Sequence, residues 1–424
     1  MSIENSSENS PLSKQVPLIE IARIFLWLGL LGFGGPAAHI ALMETELVTR
    51  RGWLRQEYFL DLLAAINLVP GPSSTEMALQ IGLVKGGFWG MLLAGAGFIV
   101  PAVVFSTGLA MLYTLGSSLA AIQGILLGVK PIVLVLILSA AYRLGVKAID
   151  NKVMATLLVV ALVVIALGTP WLMASFDLPV LYIPEVFVLA ATGSIYLLWN
   201  QRHNKHLLVP AISLIPFSHI LNNISSSTLQ AAHQIAPTLT ELFWRFLIIG
   251  GTLFGSGYVL AAYMQRAFVD GLHWLTPQQL LDTLAIGQAT PGPLLSTSAA
   301  AGYFISEQPG NVWSGVPGAL SAALGVFLPA FVVVLILGWL IPYIRRYPIT
   351  LDFLKGVNAG VIALLISTFA TLTHDSLFTP HVDWLSLIIT LSAFVALERG
   401  KLSPLALIII GAGIGILRVL VGLT

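Results

Sequence analysis

Apolar residues run along this chain in long unbroken blocks separated by short polar punctuation. The blocks fall at roughly 18–43, 60–84, 86–114, 119–142, 153–175 and 180–199, and again at 241–265, 279–302, 313–341, 353–373, 382–398 and 403–423. A membrane-crossing α-helix takes about 20 apolar residues, whereas an outer-membrane strand is about 10 residues of alternating character. The pattern predicts an all-α polytopic membrane protein with two sets of six segments. Met1 to Pro17 is polar and Ser-rich, and reads as a disordered tail without the pattern of a cleaved leader. The stretch from Gln201 to Thr240 is polar, then weakly apolar with Pro and Ser, and reads as a linker. The expected organisation is a tail over 1–17, a first half over 18–200, a linker over 201–240 and a second half over 241–424.

The two halves resemble each other. With an offset of 221, Glu20 falls on Glu241, Phe33-Gly34 on Phe254-Gly255, Asp61 on Asp282 and Pro70-Gly71-Pro72 on Pro291-Gly292-Pro293; 19 of the 60 positions from 20 to 79 are identical. After a short insertion near 306–311, Gly90, Gly97 and Pro101-Ala102 correspond to Gly318, Gly325 and Pro329-Ala330. The chain therefore reads as an internal duplication. Basic loops mark the cytoplasmic side. In the first half Arg and Lys follow segments one, four and six, and in the second half they follow segments three and five. The opposite placement predicts an inverted repeat with broken or re-entrant helices, a recurring architecture of secondary transporters. The first half's alternation works best if segment 60–84 dips in and returns on one side.

Composition narrows the function. Hydrophobic residues make up 57% and charged residues 9%, with a mean hydropathy of +0.91; soluble domains carry about 25% charge, so a soluble or a disordered chain is excluded. Twenty Lys+Arg against 19 Asp+Glu argue against a nucleic-acid partner. No cysteine is present, which removes disulfides and thiolate chemistry. There is no phosphate-binding GxxxxGK[ST] loop and no HExxH, so ATP-driven pumping within this chain, enzymatic catalysis, a metal site and a cofactor are not expected.

The candidate chemistry sits where apolar segments break. Gly34-Gly35-Pro36 can stop one helix and start another, with His39 just after it and Gly255 as the counterpart of Gly34; the alternative is a kink or close-packing site. A half-helix N-terminus offers free N–H groups to an anion. Pro70, Gly71 and Pro72 are followed by Ser73 and Ser74, and Pro291, Gly292 and Pro293 by Ser296. Non-helical backbone at membrane depth must be buried or line a wet cavity, and hydroxyl donors beside it suit an oxyanion. The alternative is a structural turn. Lys130 lies inside an apolar segment and is a candidate counter-charge, against a carboxylate partner or a snorkelling role. Glu76, about one turn beyond Pro72, could carry a proton or a cation, or satisfy a helix start. Glu20 with Arg23, and Glu241 with Arg245, read as local ion pairs; an anion-attracting role for the arginines in a vestibule is the minority alternative.

The FGGPAAHI stretch, the two Pro-Gly-Pro motifs and the repeated Pro-Ala elements make the chain similar to the chromate ion transporter family, in its long two-domain form. The resemblance covers nearly all of 18–423 and implies an inner-membrane secondary transporter exporting chromate, with sulfate as a close analogue. It implies site positions at Phe33, Gly34, Gly35, Pro36, His39, Pro70, Gly71, Pro72, Pro101, Pro291, Gly292, Pro293 and Pro329. The second half departs from the motif at Ser256-Gly257, and Leu260 stands at the counterpart of His39, which implies asymmetric binding. The expected partners are chromate, sulfate, the lipid bilayer and a second copy as a homodimer. A sulfate or other oxyanion importer and an anion channel are the alternatives.

Overall fold

The computed structural model describes residues 15–66, 71–116, 120–169, 172–173, 175, 184–203, 237–254, 257–344, 348–378 and 382–421. The first half carries α1 (Leu18–Leu31), α2 (Pro36–Met43), α3 (Gln56–Ile66), α4 (Ser73–Gly116), α5 (Ala120–Ala148), α6 (Lys152–Ala166) and α7 (Glu185–His203). The second carries α8 (Leu239–Thr252), α9 (Val259–Met264), α10 (Pro277–Ala289), α11 (Thr297–Ser306), α12 (Val316–Ile344), α13 (Pro348–Thr373), α14 (Trp384–Glu398) and α15 (Pro404–Leu420). Among the described residues there is no strand. Most of the tail and of the linker lies outside the described residues.

Local chemistry sets the helix ends. Thr276 caps α10 in a reciprocal box with Gln279, with Pro277 in the first turn, where its missing N–H costs nothing. Asn151, Thr238 and Ser403 cap α6, α8 and α15 by accepting from the Met154, Glu241 and Ala406 N–H groups. The duplication reaches into detail. α2 and α9 each run on into a seven-residue π-helical stretch, Glu44–Arg50 and Gln265–Gly271, at matching positions of the repeat.

Missing side chains fix the tightest packing. A Cβ on Gly29 of α1 would lie 2.7 Å from the Gly97 carbonyl of α4; in the second half, one on Gly325 of α12 would lie 2.5 Å from the Phe243 carbonyl of α8. Both contacts let backbones touch, as small residues do between membrane helices. α4 is two helices in sequence. Gly87 breaks it (φ 62°, ψ −155°), and a Cβ on Gly82 would stand 2.5 Å from the Gly90 carbonyl, although eight residues of straight helix span about 12 Å. The two arms therefore fold back on each other, and α11 does the same against α12 at Gly302 and Gly318.

A second reversal sits at Pro291–Pro293. Gly287 of α10 lies against the Thr297 side chain of α11, so these helices return side by side. With 13 and 10 residues they reach about 20 and 15 Å, short of the roughly 30 Å hydrocarbon core. This is a re-entrant pair. Four helical stretches among the described residues are long and apolar enough to cross a membrane: Ser73–Gly116, Ile122–Ala148, Val316–Ile336 and Asp352–Phe378.

The halves interlock. α5 packs along α15 and α13 along α7, while α14 lies on α5 and α6 on α13. Each half thus closes its last two helices over the other half's central helix. Glycines make these crossings close: Gly124 and Gly128 meet Gly415 and Gly411, and Gly356 meets Thr192 and Gly193. On the outside, Leu320, Leu324, Leu328 and Val332 of α12 form an exposed apolar stripe at four-residue spacing. In water such a stripe is a liability; against acyl chains it is the required surface.

Candidate functional site

α1 stops at Leu31, and the Gly32 N–H makes the last bond of the helix, to Leu28 O at 2.9 Å. Gly34 and Gly35 then take φ +101° and +79°, which side chains rarely adopt, and Pro36 opens α2. The Gly32 carbonyl is left outside any helix ladder. It accepts two donors: the Gly292 N–H at 2.7 Å and His39 Nε2 at 3.0 Å. A carbonyl only accepts, so His39 carries its proton on Nε2. Its Nδ1 then faces the Ser74 hydroxyl at 3.5 Å, and its ring stands edge-on to Phe98. His39 is buried.

Pro-Gly-Pro has one backbone N–H, that of the glycine, because proline has none. In the second half that single donor goes to Gly32 of the first half. Gly292 holds φ +91°, and a Cβ there would sit 2.8 Å from that of Ala102. Hydroxyls surround the junction: Ser106 of α4 meets Thr290 at 3.3 Å and Ser296 at 3.2 Å. Thr297 and Ser298 return their protons to Leu294 O and Leu295 O at 2.6 and 2.7 Å. Tyr258, bonded to Gln288, brings its hydroxyl to 3.6 Å from where a Gly35 Cβ would be. The space between Tyr258, Gln288 and Thr297 is about 10 Å³, room for one water. The junction itself is held together by the bond from Gly292 N–H to Gly32 O.

The first half's turn is different. Gly71 and Pro72 lead into α4, with the Thr75 and Glu76 N–H groups on Pro72 O at 2.8 and 3.1 Å. Thr75 Oγ1, both Glu76 carboxyl oxygens and Gln80 Oε1 are buried without a hydrogen-bond partner. Pro70 and Gly255 lie outside the described residues.

The structure gives Lys130 a partner. Its ammonium lies 2.9 Å from Asp282 Oδ1 and 2.9 Å from Gln278 Oε1, both on α10 of the other half, and Tyr113 donates to Asp282 Oδ2 at 2.9 Å. Its charge is compensated there rather than presented to the Pro-Gly-Pro turns. Arg245 pairs with Glu241 at 3.7 Å, one turn away. Glu20 instead reaches Arg51 at 3.5 Å, and Arg51 also holds Glu46 at 2.9 Å. Arg23 lines the same cleft of about 430 Å³ without sharing that pairing. The expected pair of Glu20 with Arg23 is thus replaced by a contact from a later turn. Sequence reasoning missed Ser106, Thr290, Tyr258 and Asp282. Only Asp282 had a signal, its match to Asp61 in the repeat.

Short re-entrant helices, two interlocked repeats and a lipid-type exterior together define a helical membrane transporter. The chromate transporter family matches residues 19–197 and 240–416, and the chain belongs to that family. This is a family of transporters, not of enzymes. The chain is 27% identical over 413 residues to a probable chromate transport protein of Synechococcus elongatus, covering 94% of each chain. It is 26% identical over 405 residues to a chromate transport protein of Cupriavidus metallidurans, covering 94% and 92%. With a chromate transport protein of Pseudomonas aeruginosa the identity is 30% over 352 residues, 81% and 78% of the two chains. No solved structure matches significantly.

Proposed function

We propose that this protein carries chromate out of the cytoplasm across the inner membrane, and so confers chromate resistance, with sulfate as a competitor for the same site. The observation that carries the reading is the bond from Gly292 N–H to Gly32 O. It joins the broken helix of one half to the re-entrant turn of the other. A tetrahedral dianion needs N–H and O–H donors. Here the donors of the junction, from Gly292, Ser106 and Ser74, are engaged with protein acceptors, Ser296 accepting from Ser106. Parting the halves at Gly32 frees the one N–H of the Pro-Gly-Pro turn and exposes the hydroxyls to an anion. Closing them returns each donor to its protein partner and expels the anion. The site comprises Gly34, Gly35, Pro36 and His39, the turn 70–74, and Gly255, Pro291, Gly292, Pro293 and Ser296. Lys130 serves this cycle as a tie between the halves.

The opposite placement of basic loops in the two halves supports an inverted repeat, which supplies the two equivalent conformations that alternating access requires. A membrane potential negative inside favours anion exit: two charges through 100 mV correspond to about 4.6 kcal/mol. The test is uptake of labelled chromate into inside-out membrane vesicles. The reading expects saturable uptake, competed by sulfate and raised by a lumen-positive potential. Uptake by right-side-out vesicles against that potential would make the protein an importer, and non-saturating unitary currents would make it a channel.

A further inference from the structure

Glu76 is fully buried, both of its carboxyl oxygens lack a hydrogen-bond partner, and it sits one turn beyond the first Pro-Gly-Pro. Its carboxyl occupies the space a side chain on residue 71 would fill: a Cβ on Gly71, at φ +147°, would collide with Glu76 Oε1. The group is therefore aimed into the turn. The repeat has no second copy of it, since Thr297 stands at the equivalent position and bonds Leu294 O.

Among the described residues no ion pair reaches Glu76: α4's own Lys85 is buried but stands nine residues further on, about 13 Å along a helix, and the helices packed against α4 bring the following groups. α2 brings His39, engaged with Gly32 and Ser74. α1 brings Glu20, on Arg51, and Arg23, both near its start. α3 brings Glu57, Tyr58 and Asp61; α10 brings Asp282, on Lys130. α11 brings Tyr303, whose hydroxyl donates to Val312 O, and α12 brings none from Val316 to Ile336. A carboxylate left there without a partner is disfavoured, so the charge on Glu76 is sensitive to what the turn holds.

We infer that Glu76 binds one proton together with the transported anion, so that each dianion leaves with one proton and one net negative charge crosses. The inference rests on the transport reading above. A dianion held at residues 71–74 opposes an ionised Glu76, so anion and proton favour each other's binding, and the linkage is reciprocal. On the cytoplasmic side the open site lets water supply the proton to the carboxylate as the anion enters. On the far side the carboxyl returns it to water as the anion leaves. No redox partner or bond other than O–H is involved.

The test reads stoichiometry, not rate. Purified protein in proteoliposomes, at equal pH on both sides, faces a tenfold chromate gradient while the potential that stops net flux is measured. One net charge per cycle is balanced at about 59 mV and two at about 30 mV. The inference expects about 59 mV for the native protein and about 30 mV for Glu76→Gln, which cannot take up the proton. A pH-sensitive dye inside the liposomes should report one proton per chromate in the native protein. A native balance point near 30 mV with no proton movement overturns the inference, as does a Gln variant that still moves protons. Should Glu76→Gln not insert, Glu76→Ala is read in the same way: a proton that still follows chromate in a variant without the carboxyl travels on the anion as hydrogen chromate and overturns the inference. Absence of chromate flux at any potential instead refutes the transport reading.

Discussion

Replacing Lys130 with Gln leaves Asp282, 2% exposed, without its cation. Removing one partner of a buried ion pair costs about 3–5 kcal/mol, because the remaining charge is stranded. Two features reduce that figure here. The Lys130 side chain is 19% exposed, so water screens part of the interaction, and Tyr113 still donates to Asp282. We expect a loss of about 2–3 kcal/mol, in the range for removing a hydrogen bond to a charged group. Because the pair joins α5 of one half to α10 of the other, the loss should appear as weakened cohesion between halves. The assay is thermal unfolding of detergent-purified protein, with expression in membranes measured alongside. Lys130→Gln should lower the midpoint clearly, whereas Lys130→Gln combined with Asp282→Asn should recover most of it, since no charge is then stranded. A double-mutant cycle should give a coupling above about 1 kcal/mol. Additive losses, or a Gln variant with native stability but no transport, would refute the ion-pair account and restore the counter-charge role.

Gly292→Ala meets both a positive φ and the Ala102 side chain; about 1–3 kcal/mol of strain should lower thermal stability and transport together, whereas Gly310→Ala, with the same sign of φ but open space around it, should leave transport intact. His39→Ala removes the donor to Gly32 O and the acceptor for Ser74; losing these buried bonds should cost about 1–3 kcal/mol in unfolding measurements and reduce chromate flux, while His39→Gln, which can keep one bond, should fall between. Single cysteines in the loops 115–118 and 346–349, in a chain without native cysteine, should react with an impermeant maleimide from opposite sides of the membrane; labelling from one side contradicts the inverted repeat.

The chain's breaks were readable because glycine and proline act locally. Gly34-Gly35-Pro36 and Pro291-Gly292-Pro293 interrupt helices in the structure where their backbone chemistry requires it, and the division expected near residue 85 falls at Gly87. Partners distant in sequence were not readable. Apolar patterning is nearly uniform around α5, so nothing in it tells α15 of the other half to pack there. Lys130 was recognisable as a buried cation, but its partner depends on that packing. The same holds for Glu20, whose i,i+3 neighbour is outcompeted by Arg51. The most consequential contact, Gly292 N–H to Gly32 O, is made by main-chain atoms and carries no side-chain signature.

The account's central claim is that two interlocked halves carry an oxyanion outward through the junction of Gly32 and Gly292. Labelled chromate uptake into inside-out vesicles, with potential clamped by potassium and valinomycin, tests it most directly. The account predicts saturable uptake in vesicles bearing the native protein, stimulated by a lumen-positive potential, reduced by excess sulfate and largely lost in Gly292→Ala protein that has inserted normally. Uptake equal to that of vesicles without the protein, or uptake unchanged in an inserted Gly292→Ala variant, would contradict it.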